Sequence, residues 1–363
     1  MTNAMRNYIV RIYFENAVHV GSAEPGIGIE GSDGPIIHAD TLWAALCNNW
    51  AVAGSIGGID FREFIEGFVS GEPMFKISSA FPVTHKGTYW LPKPLTDPLE
   101  FMDACGDADR AEDNRTQFAK PIKRTRLITR EAFGVWVKSE SSLGSMSLVA
   151  SIAKDRRPVN ENVMDALRPQ NTLDRYSNAS QLYHSGATYY DNREAGVYFI
   201  LKASPVVKET IIQLLELIQR TSGLGGNRSS GLGAIQQIGP IEEADLHWDF
   251  LDCVSGSNAW CALSLYYPNP SEAYIDGALA YSLVLRKGWT GSLSTGRQCK
   301  RKTVRMFGEG SVFRHAMQGG LVCLTPTETL FGEPYPHPVY RYGYTLAVPI
   351  KTIQKETQDE GNI

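Results

Sequence analysis

Gly223-Leu224-Gly225-Gly226-Asn227-Arg228-Ser229-Ser230-Gly231-Leu232-Gly233 joins a helix-forming stretch to a short β-forming one, and the fold follows from that junction. Upstream, Val207, Ile211, Leu214, Leu215 and Ile218 recur at helical spacing, and Gly223 supplies the glycine expected just past a helix end. Before that helix, Gly196 to Ser204 (GVYFILKAS) has the β-branched and aromatic content of a strand; after the glycines, Ile235 to Ile238 forms another. The five glycines let the backbone take positive φ and come close to a ligand. Exposed N–H groups there can cradle phosphates, with Arg228, Ser229 and Ser230 as further donors. No Gly-Lys-Ser/Thr follows, so it is not a Walker A loop, and the helix-then-strand order rules out a dinucleotide fingerprint. The competing reading is a tight turn that needs glycine only for packing.

Working outward, Tyr8 to Phe14 (YIVRIYF) reads as a strand, and His38 to Cys47 starts a helix with Asp40 as its N-cap and Leu42, Ala45, Leu46 and Asn49 on one face. Phe61, Phe64, Ile65 and Phe68 mark a second helix, and Met74 to Pro94 alternates short β-like pieces with Pro and Gly. Residues 97–116 read as an acidic exposed loop, and Gly144 to Arg193 lacks a long periodic run although it is rich in Arg, Asn, Ser and Tyr. Beyond Glu242 the pattern begins again. Strands are expected at Trp260 to Tyr267, Ser282 to Trp289, Thr303 to Phe307, Leu321 to Thr325 and Tyr344 to Ile350, a short helix at Ser271 to Ala280, and a frayed tail from Lys351. Two successive units of strands with few helices make the class α+β.

Composition sets the outer limits. A chain of 363 residues, 43% hydrophobic and 20% charged, can build two cores. A net charge of −4 argues against a protein that coats nucleic acid indiscriminately, but it leaves room for a local basic groove. The six cysteines form no CxxC pair and no zinc-ligand cluster, so no metal or other cofactor is expected, and a reducing cytoplasm is the simplest setting. Nothing after Met1 reads as a signal peptide, and no apolar run spans a bilayer.

A second basic element is Lys120-Pro121-Ile122-Lys123-Arg124-Thr125-Arg126-Leu127-Ile128-Thr129-Arg130. Its alternation would place Lys123, Arg124 and Arg126 on one side of an extended strand that tracks a phosphate backbone; the other reading is a charge-protected edge strand. A third run, Arg297 to Arg305, fits RNA, a protein partner or a solvated face equally well.

The glycine loop strongly resembles the signature loop of the RAMP superfamily of CRISPR proteins. His38 to Leu46 (HADTLWAAL) is similar to the family's first-helix motif. Ser79-Ala80-Phe81-Pro82 with Tyr89 to Pro94, Gly310 to Phe313, and His337 to Tyr344 resemble blocks of one subunit type, the one that caps the guide's 5′ end in type III-A (Csm) effectors. The resemblance implies two ferredoxin-like (RRM-like) domains, 1–242 and 243–363, with a thumb-like hairpin inserted in the first around Asn171 to Tyr190. It implies binding of the repeat-derived 5′ tag of CRISPR RNA, a large polymerase/cyclase-like subunit on one side and a backbone RAMP subunit on the other. The expected RNA-contacting residues are Gly223, Gly225, Gly226, Asn227, Arg228, Ser229, Ser230 and Gly231 of the loop, Arg175 and Tyr176 of the thumb, and Lys123, Arg124 and Arg126. No catalytic residue is expected. Two alternatives stand beside this: a metal-independent ribonuclease using His19 or His38 as acid or base, and a scaffold that binds only protein.

Overall fold

The computed structural model describes residues 4–21, 29–30, 35–97, 120–138, 152, 162–191, 194–272, 277–290, 299–327 and 333–352. The expected acidic loop and the C-terminal tail fall largely outside them. Strand β1 (Arg6–Phe14) is followed by β2 (Ala17–Val18), β3 (Ile29–Glu30), helix α1 (Ala39–Ala53), β4 (Ser55–Ile56), β5 (Ile59–Asp60) and α2 (Phe61–Val69). Then come β6 (Phe75–Ile77), β7 (Phe81–Thr84), β8 (Trp90–Pro92), β9 (Leu127–Thr129) and α3 (Arg130–Lys138). A long hairpin, β10 (Val163–Leu173) and β11 (Ser180–Tyr190), precedes β12 (Ala195–Ala203), α4 (Pro205–Thr221), β13 (Ile235–Ile238) and β14 (Glu242–Glu243).

The main sheet runs β13-β1-β12-β6 with antiparallel neighbours. With α1 after β1 and α4 after β12, this is the β-α-β-β-α-β order of a ferredoxin-like unit. Alternate residues of a strand face opposite sides, and here both sides are buried. Tyr8, Val10, Ile12 and Phe14 of β1, with Val197, Phe199 and Leu201 of β12, pack under α1, α2 and α4, where Trp50 stacks on Phe64 at 4.3 Å. Ile9, Tyr198 and Ile200 point the other way, into a second core with Phe133 and Trp136 of α3 and with Trp248, Cys261, Val312 and Val348 from the C-terminal part. Burial on both faces is why these strands read as continuous apolar runs.

The C-terminal part holds β15 (Ala259–Ala262), β16 (Ala278–Ala280), β17 (Leu283–Arg286), β18 (Val304–Phe307), β19 (Val312–Phe313), β20 (Leu321–Cys323), β21 (Tyr340–Tyr342) and β22 (Ala347–Ile350). These form a sheet β16-β19-β15-β22 and the pairs β17-β18 and β20-β21. Among the described residues 246–352 there are 3-10 turns but no α-helix. The helix expected at Ser271 to Ala280 is a 3-10 turn at Pro270–Glu272 followed by β16, because Ala278 and Ala280 pair with β19. The whole is a mixed α/β protein of small antiparallel sheets. Among the described residues no helix is long and apolar enough to cross a membrane.

Two local expectations are corrected. The N-cap of α1 is His38, not Asp40; the first helical N–H, of Ala39, is satisfied by Ser79 Oγ at 3.0 Å. Asp40 lies inside the first turn, its carboxylate drawn away by two arginines from the other half of the chain. The region 144–193, without a periodic run in its residues, contains a hairpin where the resemblance implied one, but longer than Asn171 to Tyr190: it is paired without a break from Val163↔Tyr190 to Leu173↔Ser180. Its strands were hidden because only the base is buried, so the outer residues carry no apolar alternation.

Candidate nucleic-acid interface

Helix α4 starts with Pro205 behind a Ser204 cap and ends at Ser222, and the Gly223 N–H turns back to Ile218 O at 2.9 Å. The chain then closes on itself and onto its neighbours. Leu224 N–H donates to Gly233 O, Gly233 N–H to Ala17 O and Gly226 N–H to His19 O, each at 2.8 Å. Gly225, at φ +88°, lies against the chain after β2, where a Cβ would stand 2.6 Å from His19 O. Gly226 is not a positive-φ position. It is glycine because the His19 ring lies against it, 2.9 Å from where a Cβ would be.

Above these stitches rises a crest. Asn227 is left-handed (φ 52°), Arg228–Ser230 make a 3-10 turn, and Gly231 (φ 80°) brings the chain down. Asn227 to Gly231 are exposed, whereas Gly223 and Gly233 are buried. Ser230 N–H bonds Asn227 O and Gly231 N–H bonds Arg228 O, both at 3.0 Å. With the N–H groups of Gly223, Leu224, Gly226, Ser230, Gly231 and Gly233 committed inside the protein, the loop presents chiefly side chains: the Arg228 guanidinium and the Ser229 and Ser230 hydroxyls.

The crest is built onto the base of the hairpin. Asn227 Nδ2 donates to Ser185 Oγ at 3.1 Å, and His19 Nδ1–H donates to Gly186 O at 2.5 Å. Cross-strand partners share a face, so Ser185 continues outward into Arg168, Tyr183, Gln170, Gln181 and Thr172. The opposite face carries Leu167, Leu173 and Leu182, each more than half exposed. At the tip the Asp174 carboxylate accepts the N–H groups of Tyr176 (2.7 Å) and Ser177 (3.3 Å), an Asx turn that leaves Arg175 and Tyr176 in solvent. Ser185 and Ser180 are separated by about 17 Å at strand rise. The structure therefore holds Arg175 and Tyr176 at the far end of the hairpin from the crest, exposed and not in contact with it.

The basic segment is not the strand expected. Residues 120–124 form a helical turn carrying Lys123 and Arg124, and only Leu127–Thr129 is extended. Pro121 suits a first helical turn, and the Thr125 N–H and hydroxyl both return to Pro121 O. Lys123, Arg124 and Arg126 are all exposed, but helical geometry splays them where a strand would align them. Of the third basic run, Arg297 and Gln298 lie outside the described residues.

The two histidines sit in different settings. His19 is buried between the glycine loop and the hairpin. His38 Nδ1 meets Glu309 Oε1 at 2.7 Å, at the junction with the C-terminal part, where Ser79 Oγ also bonds Glu309. Burial alone would raise the Glu309 carboxyl; the adjoining His38 and the hydrogen bonds from His38 and Ser79 outweigh it and hold the group below the usual carboxylate range.

Sequence reasoning missed what surrounds Asp40. Arg286 grips it in bidentate fashion, Nε to Oδ2 and Nη2 to Oδ1, both at 3.0 Å, and Arg341 Nη1 bonds Oδ2 as well. Nothing local in the sequence joins residues 246 and 301 positions apart.

Residues 255–350 match the family described as CRISPR Csm4 C-terminal domain. A Csm4 protein of Streptococcus thermophilus is 23% identical over 280 residues, 76% of this chain and 81% of the relative. One from Mycobacterium tuberculosis is 27% identical over 157 residues, 42% of this chain and 46% of the relative, so that match spans about half of that protein. Among solved structures, a Csm3–Csm4 subcomplex of a type III-A CRISPR-Cas interference complex aligns with TM-score 0.57 at 15% identity, over 95% of this chain and 100% of the other. A Csm1–Csm4 cassette in complex with cA4 aligns with TM-score 0.56 at 19% identity, over 96% and 100%. At such identities the structures speak for the fold alone, while residues 255–350 carry the CRISPR Csm4 C-terminal domain and the longer sequence match makes the chain similar to Csm4 proteins.

Proposed function

We propose that this chain is a non-catalytic CRISPR RNA-binding subunit that recognises the 5′ repeat-derived tag of the guide and caps a type III-A effector complex in antiviral defence, in the cytoplasm. The observation that carries this reading is the exposed Asn227–Gly231 crest, held rigid by buried glycines and continuous with the polar face of the hairpin. Such a surface offers a single strand charge-assisted and neutral hydrogen bonds to phosphate and ribose from Arg228, Ser229 and Ser230. Arg175 and Tyr176 then serve a second point along the strand, the tyrosine by stacking, and Lys123, Arg124 and Arg126 add phosphate contacts. The partners are a large polymerase/cyclase-like subunit and a backbone RAMP subunit; the pairing of relatives in a Csm1–Csm4 cassette and a Csm3–Csm4 subcomplex supports both. The chain would carry these surfaces on two ferredoxin-like units, 1–242 and 243–363, with the β10–β11 hairpin as the thumb.

Arg228→Ala is expected to weaken binding of a tag RNA oligonucleotide about tenfold or more, the value of one charge-assisted bond, and to lower the salt slope by about 0.7. Thermal melting should not change, since among the described residues the Arg228 side chain makes one long 3.5 Å contact, to Ser222 O. Unaltered affinity and slope would remove the crest from the RNA interface.

The ribonuclease alternative needs an acid and a base converging on one phosphate. His19 Nδ1–H is spent on Gly186 O, and His38 is tied to Glu309 at the junction with the C-terminal part. Repeat RNA incubated with the purified chain should stay intact on a gel, with divalent metal or with EDTA. Cleavage that disappears in His19→Ala or His38→Ala would restore the alternative.

A further inference from the structure

Around Asp40 three arginines gather. Arg286 and Arg341 both bond its carboxylate, and Arg301 stands close enough that their like charges, after burial, push its guanidinium down to about 10. Asp40 is the carboxylate that Arg286 and Arg341 share. The arginines are also braced in a way a plain ion pair does not require. Arg341 Nη2 donates to Lys287 O at 3.0 Å, Arg301 N–H to Gly288 O at 2.9 Å and Arg301 Nε to Trp289 O at 2.8 Å. Gly288 sits beside them, where a Cβ would meet Arg341 Nη2 at 3.9 Å as its nearest neighbour among the described residues. Among the described residues two buried polar atoms in this cluster have no hydrogen-bond partner, Arg341 Nε and the Tyr335 hydroxyl; Arg341 is 6% exposed, Tyr335 is 7% exposed, and Tyr335 is near enough to Arg301 to act on its charge. Lying against Arg301 through its own carbonyl, Trp289 is 59% exposed.

We infer that Arg301, Arg341 and Tyr335 form a built anion site in the C-terminal half, one that takes a phosphate group of a nucleotide, with Trp289 as the flat surface beside it for a base. A phosphate oxygen satisfies what the protein leaves open: it accepts from a guanidinium edge and a phenol hydroxyl, and its charge offsets the crowded arginines. An exposed indole next to a phosphate site is the arrangement that holds single-stranded nucleotides without reading their sequence. The site lies on a different part of the chain from the glycine-loop crest and stands independently of it. Its phosphate can come from an RNA strand or from a free nucleotide, and the two sources are separable.

The test uses the full-length chain and two probes, a fluorescent single-stranded RNA oligonucleotide and inorganic pyrophosphate. Arg301→Gln and Tyr335→Phe spare the Asp40 bonds and should leave the melting temperature of the unliganded protein within a degree or two. If the site serves an RNA strand, each weakens RNA binding about tenfold, and Arg301→Gln also lowers the salt slope by about 0.7. If it serves a free nucleotide, RNA binding is unchanged, but pyrophosphate raises the melting temperature of the wild type and not of Arg301→Gln. In the RNA case Trp289→Ala should also weaken RNA binding, without changing the salt slope. Should both variants keep wild-type RNA affinity and wild-type stabilisation by pyrophosphate, the cluster is a structural lock and the inference is overturned. Failure of the crest variant Arg228→Ala to affect RNA would leave this outcome untouched.

Discussion

Asp40→Ala should lower the unfolding free energy by about 3–5 kcal/mol, the usual cost of stranding buried charges by deleting their partner. Two guanidiniums, each on a residue 6% exposed, would lose their carboxylate at once. Replacing the set by apolar residues, Asp40→Leu with Arg286→Met and Arg341→Met, should recover much of that loss, since a buried pair contributes little beyond its own desolvation. The pH dependence has a fixed sign. Burial pushes the Asp40 carboxyl upward, but Arg286, Arg341 and His38 overcome it and hold the group well below the ordinary carboxylate range. A depressed folded value contributes stability above the unfolded value, about 3.9, and loses it as pH falls toward the folded one. The gap between wild type and Asp40→Ala in urea titrations should therefore be constant from about pH 5 to 8 and close only below about pH 4. A loss under about 1 kcal/mol at neutral pH would mean that the three side chains are not in contact.

Gly233→Ala should be the most damaging single methyl in the glycine loop. At φ +76° the new Cβ is disfavoured by its own backbone and would overlap Leu224 O, a carbonyl that cannot swing aside because Gly223 and Leu224 are themselves pinned. The left-handed penalty of about 1–2 kcal/mol adds to the loss of the Leu224–Gly233 hydrogen bond, for about 2–3 kcal/mol in all. Gly231→Ala is the matched control. Its φ is +80°, yet nothing among the described residues lies within 4 Å of its Cβ, so it should cost only the backbone term, about 1–2 kcal/mol, and leave the crest in place. Equal melting temperatures and equal RNA affinities for the two variants would contradict the closed geometry of the loop.

Much of the N-terminal half was legible from residue pattern. YIVRIYF and GVYFILKAS became β1 and β12 within two residues at each end, and the spacing of Ile211, Leu214, Leu215 and Ile218 gave α4. These elements are long and buried, so local preference and tertiary demand agree. Where they part, the sequence misled. Ala278–Ala280 has helical composition but is recruited by β19, and Lys123-Arg124 has strand-like alternation but follows a proline that starts a turn. The glycine loop was recognisable, but which of its groups stay available was not: that depends on Ala17 and His19 arriving from two hundred residues away to use its N–H groups. Asp40 has the local signature of a cap for the same reason, since its partners lie beyond any local window.

The second apolar core has a bearing on how such a chain can change over generations. Ile9 and Ile200 from one half, the α3 aromatics, and Val312 and Val348 from the other fill a single volume, while Tyr342 and Tyr344 of the far half complete the first core. The halves are thus not exchangeable cassettes. A recombination event that joined residues 1–242 of this chain to the remainder of a distant homologue would have to match side-chain volumes across both cores and supply arginines at 286 and 341 for Asp40. A volume change on one side of that seam is therefore felt on the other, and the two halves answer to one packing constraint.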